Sequence, residues 1–292
     1  MRNFLSLNSF FRAHFGQRVQ KIPLDAGLGC PNRVSERGGC IYCNEKGSGT
    51  GASFRGLSIR QQLETGMKWA RRRYKARRFA AYFQAFSNTF ASLDRLREIY
   101  SQVADVPEVV AVAIGTRPDC IDTDVLDLIH AIFKDKMVWM EYGLQSASDA
   151  TLRLINRGHT VRDFSNAVRL TRQYPFYICA HVIFGLPGEG EGEMTQTVEL
   201  LRDLAIDGVK FHELYVVRST PLSHMYHQGR YEPISQDFYA KMVAKAIGIL
   251  PKETVIQRLT GDPAPGELVA PKWAKRKQET ISMIRKYLES PF

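Results

Sequence analysis

The chain has 292 residues, enough for one large α/β domain or two modest ones, and its 44% apolar and 24% charged content is ordinary for a soluble globular protein. It holds no run of roughly 18 apolar residues, so no transmembrane helix is expected. Forty Lys and Arg against thirty Asp and Glu leave a net charge of +10, an excess that favours a polyanionic partner such as RNA.

The opening segment, MRNFLSLNSFFRAHF, is interrupted by Arg2, Asn3, Asn8 and Arg12 and lacks a small-residue cleavage site. A signal peptide is therefore not expected, and a reducing cytoplasm is the expected compartment. Val19–Leu24 reads as the first strand. It leads into CPNRVSERGGCIYC, which gathers Cys30, Cys40 and Cys43 on a chain with five cysteines in all. Thiolates grouped this closely point to a metal. A structural zinc wants a fourth ligand, yet His14 lies well upstream and the next histidine is His130. A disulfide scheme leaves one thiol over. An iron–sulfur cluster suits soft thiolates, and three of them leave one iron free to bind a small molecule. Ligand softness and number favour the cluster, with zinc as the alternative.

Ser58 and Gln61 then form a capping box, after which Ile59, Leu63, Met67, Ala70 and Tyr74 share one helical face. The run Arg71 to Arg78 places six positive charges in eight residues. It reads either as a solvated helix end or as a nucleic-acid patch. Further strands are expected at Phe79–Gln84, Val109–Thr116, Val138–Gln145, Tyr177–Phe184 and Val209–Val217. Amphipathic helices at 92–103, 122–133, 160–174 and 191–206 separate them. Six such units imply a parallel sheet with helices outside. A full eight-unit barrel typically needs about 250 residues, so an open six-stranded partial barrel, (β/α)6, fits better.

Parallel barrels assemble their sites at the C-terminal ends of the strands, which is where the cysteines fall. The polar residues ending the other strands converge on that rim: Gln84 with Asn88 and Thr89, Thr116 with Arg117, Glu141 with Gln145, His181, and His212 with Glu213. Cys120 and Cys179 read first as small hydrophobes. Cys179 shares a strand face with His181 by the period of two, which makes these two the candidate catalytic side chains. GSGTG at 47–51 lacks the lysine of a phosphate-binding loop and reads as a bend. Gly185 to Glu189 reads as a turn ending a strand.

After Ser219 the pattern changes. A helix over Gln236–Leu250, a strand over Val255–Leu259, a turn-rich GDPAPGE segment and a basic final helix follow. Residues 1–218 are thus expected to form the barrel core with an N-terminal extension, and 219–292 a C-terminal α/β extension capping its open side. Lys272, Lys275, Arg276, Lys277, Arg285 and Lys286 make that tail a second basic patch.

The cysteine spacing, together with YFQAFSNTFAS, GTRPDC, EYGLQSASDATLRLINRGHT, HVIFGLPGE and QRLTGDPAPGELVAPKW, resembles the YhcC/YtqA-type family of radical S-adenosylmethionine (SAM) proteins. That family is related to the catalytic subunit of elongator and, more distantly, to oxygen-independent coproporphyrinogen oxidase. The resemblance implies a radical SAM barrel with a [4Fe–4S] cluster on Cys30, Cys40 and Cys43 and SAM chelating the fourth iron. It implies reductive cleavage of SAM to methionine and a hydrogen-abstracting 5′-deoxyadenosyl radical, with an electron donor such as flavodoxin or ferredoxin. Arg33, Arg37 and Lys46 would then bear on the cluster potential.

The same resemblance places Tyr42 near the adenine, Gln145 at the ribose and Arg157 at the methionine carboxylate, which a planar guanidinium fork matches. Gln84 is a further expected cofactor contact, and Ser87-Asn88-Thr89 falls where relatives have a Gly-Gly-Thr turn at the SAM amino group. This chain lacks those glycines, so a side-chain amide contact is expected there instead. Gly115 aligns with a ribose-binding glutamate of the porphyrin enzyme, and Glu141 on the next strand is expected to replace it. His181 takes the place of that enzyme's strand-five aspartate, facing the adenosyl hydroxyls. The substrate implied is RNA, at the side chain of a modified tRNA wobble uridine. A small metabolite or tetrapyrrole substrate, or a non-catalytic Fe–S or zinc scaffold binding nucleic acid, are the rival readings.

Overall fold

A computed structural model describes residues 4–34, 38–45 and 56–289. Arg37, Lys46 and the GSGTG segment lie outside the described residues. The expected strands are present as β2 (Val19–Leu24), β3 (Arg78–Phe83), β4 (Val109–Thr116), β5 (Met137–Gln145), β6 (Tyr177–Phe184) and β7 (Gly208–Glu213). All six pair in parallel and in chain order. Two more strands extend the sheet past β7: β9 (Val255–Arg258), parallel to β7, and the two-residue β1 (Leu5–Ser6) outside it. The order β1-β9-β7-β6-β5-β4-β3-β2 makes one eight-stranded sheet, curled into a half-barrel.

The expected strand over Val209–Val217 is interrupted. The main-sheet strand stops at Glu213, whose carboxylate accepts from Thr260 Oγ1 (2.9 Å) and the Gly261 amide (2.6 Å). The chain then turns away, and β8 (Val216–Val217) pairs antiparallel with β10 (Leu268–Ala270).

Alternation sorts the strand residues into two layers. Ile22, Phe83, Ile114, Met140, Ile178 and Phe211 face outward into the helical layer. That layer includes α3 (Ile59–Tyr74), α4 (Leu93–Ala104), α5 (Thr123–Ile132), α7 (Val161–Thr171) and α8 (Glu191–Asp203). The Ser58–Gln61 capping box forms in both directions, and Thr160 with Asp163 forms another at the start of α7. The C-terminal helices α10 (Gln236–Ile249) and α11 (Lys277–Glu289) pack on each other, and α10 also packs on α8. No helix among the described residues is long and apolar enough to cross a membrane.

An element not read from the sequence closes the lower end of the half-barrel. Helix α1 (Leu7–Phe15), capped by Ser6, sends Phe11 against Val19, Ala80 and Ala111. Phe10 meets Trp139 and Tyr177 edge-on, with ring centroids 5.5 and 5.3 Å apart. These partners sit toward the N-terminal ends of their strands, so the apolar plug leaves the opposite end free for polar side chains.

Candidate active site at the cysteine cavity

Cys30 ends the loop after β2 and precedes α2 (Pro31–Val34), a single turn whose leading proline has the backbone angle a helix start requires. The Arg33 amide closes that turn on Cys30 O at 2.9 Å, and the Cys43 amide closes a second on Cys40 O at 3.0 Å. Between them Gly39 has φ 88, and a Cβ there would lie 3.1 Å from Arg33 Cγ. The loop is held from outside as well. The Ile41 amide donates to Ile155 O (3.1 Å), the Leu222 amide to Ile41 O (2.9 Å) and Asn156 Nδ2 to Gly39 O (2.7 Å).

All three cysteines line one cavity at the C-terminal ends of the strands, shared with Tyr42, Gln84, Glu141, Gln145, Arg157 and His181. Among the described residues no three His, Cys, Asp or Glu side chains are grouped to hold a single ion. Three thiols lining one cavity suit a cluster, in which each binds a different iron. The polar lining suits it too. Arg157 Nη1 and Asn32 Nδ2 each lie 3.6 Å from Cys40 Sγ. Tyr42 Oη, Arg157 Nε and Asn32 Oδ1 are buried with no partner. Orphaned polar atoms are rare in proteins, and three around one cavity mark a place for a polar ligand. Burial pushes the Cys43 thiol up, reinforced by Cys40 and opposed by Arg33.

The wall formed by Arg157 and Gln145 depends on Gly143. A Cβ at this position would come within 2.6 Å of both Arg157 Nη2 and Gln145 Nε2. Its absence lets Arg157 Nη2 donate to Gly143 O at 2.8 Å, while Arg117 Nη1 holds Arg157 O at 2.7 Å. His159 Nε2 also donates to Gly143 O, at 3.0 Å. Burial, with Arg157 and Arg117 nearby, lowers the His159 pKa to about 3. Three cavity residues outside glycine adopt left-handed backbone: Ala85 (φ 87), Phe86 (φ 56) and Gln145 (φ 75). Such conformations are costly and collect where a site fixes its backbone.

Beneath the cavity lies a charged layer that sequence reading caught only in part. Glu141 Oε1 accepts from Lys21 Nζ at 2.8 Å, while Oε2 takes Lys210 Nζ and, at 3.0 Å, His181 Nε2. Lys21 and Lys210 also sit 4.2 and 4.1 Å from the centre of the Tyr82 ring. Burial alone would raise the Glu141 pKa, but the two ammonium groups and His181 outweigh it and hold the carboxyl well below its usual range. His181 is held neutral, its pKa lowered to about 4 by burial and by Lys210. Lys21 and Lys210 went unread because each is the third residue of its strand, away from the C-terminal ends where polar residues signal a site. Inward position by alternation was the available signal.

Several expected residues stand elsewhere. Asn88 and Thr89 do not line the cavity. Asn88 Nδ2 donates to Ala85 O (3.1 Å) and Gly115 O (2.8 Å), and Thr89 Oγ1 bonds Thr116 Oγ1 and Cys120 O, both at 2.6 Å. They brace the rim from behind. Cys179 is fully buried among Tyr82, Ala113, Trp139 and Val255, below the cavity. Glu213 turns toward Thr260 and Gly261. His212 stacks obliquely with His181, ring centroids 5.6 Å apart, its Nε2 buried without a partner.

Known families and proteins match this chain. The family model for the radical SAM superfamily matches residues 26–201, and that for the radical SAM C-terminal domain matches residues 206–290. Bacillus subtilis YtqA is 35% identical over 291 residues, covering 99% of this chain and 90% of that protein. Escherichia coli YhcC is 36% identical over 278 residues, covering 94% and 88%. In fold, the chain is similar to the archaeal Methanocaldococcus infernus Elp3, solved with an N-terminal deletion. That match has a TM-score of 0.74 at 16% identity and covers 93% of this chain and 63% of that one. The chain therefore belongs to the radical SAM superfamily, as an enzyme of its YhcC/YtqA-type branch that works with a [4Fe–4S] cluster and SAM.

Proposed function

We propose that Cys30, Cys40 and Cys43 hold the cluster, that Tyr42, Gln84, Gln145, Arg157 and His181 contact SAM, and that the substrate is tRNA, at the side chain of a wobble uridine. When bound, cluster and SAM supply a 5′-deoxyadenosyl radical that abstracts hydrogen, at the expense of one electron from a donor such as flavodoxin or ferredoxin. The chain's own part is positional. Arg157, tied to Cys40 and Gly143 O, lines the cavity with its Nε buried and unpaired, and a guanidinium held this way suits the methionine carboxylate. Neutral His181 presents a ring to the ribose side. Glu141, with both oxygens occupied, acts through His181 and is a positioning residue.

The RNA reading is carried by one observation. The exposed Lys272, Lys275 and Arg276 follow β10 at the same end of the molecule as the cavity. The cytoplasm, where tRNA resides, is the compartment this reading requires. The test is anaerobic reconstitution, then an assay of 5′-deoxyadenosine with SAM and dithionite, with and without bulk tRNA. Added tRNA is expected to raise formation, and Lys272→Ala/Lys275→Ala/Arg276→Ala to lower the tRNA-dependent part roughly tenfold. Cleavage without tRNA stays unchanged in that variant, whereas Cys40→Ala abolishes it. Turnover indifferent to tRNA but dependent on a small metabolite would overturn the tRNA assignment.

A further inference from the structure

Helix α3 descends from the cysteine end of the sheet to the start of β3, so its basic last turn lies at the opposite pole from the cavity. With 16 residues it spans about 24 Å. Its outer face carries Trp69, 55% exposed. The other large apolar side chains that are well exposed among the described residues are Leu57, Phe90, Leu93 and Leu154. They sit in or beside the loops of the cavity end, which leaves Trp69 alone at the lower pole. Its ring meets Tyr74 edge-on at 5.2 Å, and Tyr74 lies under Arg18 (4.8 Å) and Arg73 (5.5 Å). Arg72, Arg73, Lys75 and Arg77 are exposed as well. Within the 71–78 run, the one salt bridge among the described residues is Arg71 to Glu108, at 2.8 Å.

The placement of these cations at a helix C-terminus suits the helix dipole but does not account for the indole. A membrane-binding face would present several apolar side chains, and an acidic protein partner needs no open ring. One flat aromatic surface among unpaired guanidinium groups matches a nucleic-acid strand, whose phosphates meet the cations while a base stacks on the ring. We infer that Trp69, with Arg72, Arg73 and Arg77, forms a second RNA-docking surface, which stacks an unpaired nucleotide about one helix length below the cavity. This rests on the RNA reading above and adds to it a contact remote from the chemistry. A folded RNA of tRNA size is long enough to touch both poles.

The test is binding of bulk tRNA to the reconstituted full chain across a salt series. Trp69→Ala is expected to weaken binding roughly 5- to 100-fold, and Trp69→Phe to retain most of it, since a base still finds a ring to stack on. Arg72→Gln/Arg73→Gln/Arg77→Gln should flatten the slope of log affinity against log salt by about 2. In all three variants 5′-deoxyadenosine formation without RNA stays at the wild-type level. If wild type binds tRNA and these variants bind equally well, the docking surface is wrong while the RNA reading stands. If only the arginine variant weakens, the patch is electrostatic and the stacking assignment is overturned. If wild type binds no tRNA, both fall together.

Discussion

A methyl group at position 143 would collide with the two side chains that shape one wall of the cavity. Gly143→Ala is therefore expected to leave the fold intact, with thermal unfolding little changed, and to lower SAM cleavage by roughly tenfold or more, because small misplacements of reacting groups are costly. Wild-type cleavage in this variant would remove Arg157 and Gln145 from the site. His159 and His181 give a second expectation. Both stay neutral in the folded protein, with pKa values near 3 and 4, while the unfolded chain takes up protons near the ordinary value of 6.5. The unfolded state thus binds more protons below about pH 6.5, and stability falls as pH falls, at up to about 1.4 kcal/mol per pH unit for each ring. His212, which burial also holds well below its ordinary value, adds a third ring, so urea unfolding at pH 7, 6 and 5 should show His159→Asn removing about a third of the slope. At this scale the sequence was readable where chemistry is concentrated. Cys30, Cys40 and Cys43 stand out by their spacing and Glu141 by breaking an apolar strand, whereas Arg157, in a loop between helices, came only from the family resemblance. Lys21 and Lys210 were not readable, because their partners lie 120 and 69 positions away and meet only when the sheet curls.

Among the elements, α1 has the largest consequence for its size. Phe11 is 2% exposed in contact with three strands, so Phe11→Ala is expected to cost about 3–5 kcal/mol by urea unfolding. A loss below 1 kcal/mol would mean that the plug contributes little. The six central strands were legible because each is an apolar run next to a capped amphipathic helix, and the period change from two to 3.6 marks the border. Helix α1 was not, since nine residues broken by Asn8 and Arg12 are too short a run to show a clear helical repeat. Strand β1 has only two residues, below any pattern, and is a strand only because β9 lies beside it. The break at Glu213 was hidden for a similar reason. Apolar content continues through Val217, and the cause, a carboxylate bonded to Gly261, lies far along the chain.

On the scale of the whole molecule, the surplus of positive charge divides between two poles. One borders the cavity after β10 and the other surrounds the foot of α3. Between the poles the sheet is open along one side, where β2 and the short β1, its two edge strands, do not pair with each other. Lys21 Nζ reaches Gln257 Oε1 across this gap at 3.1 Å, and α1 packs against both strands. Lys21→Met removes the crossing contact yet leaves Glu141 paired with Lys210, so global stability should change by less than about 1 kcal/mol. Amide exchange in β2 should nonetheless quicken roughly tenfold, with β5 and β6 unaffected. Equal protection of β2 in both proteins would show that the contact carries no restraint.

A cylinder laced all round by peptide amides widens only by tearing part of its ladder. Here one flank has no such lacing, and an ammonium-to-amide contact and the rings of α1 bridge it instead. Parting the two margins on that flank would break side-chain contacts but no rung of the ladder.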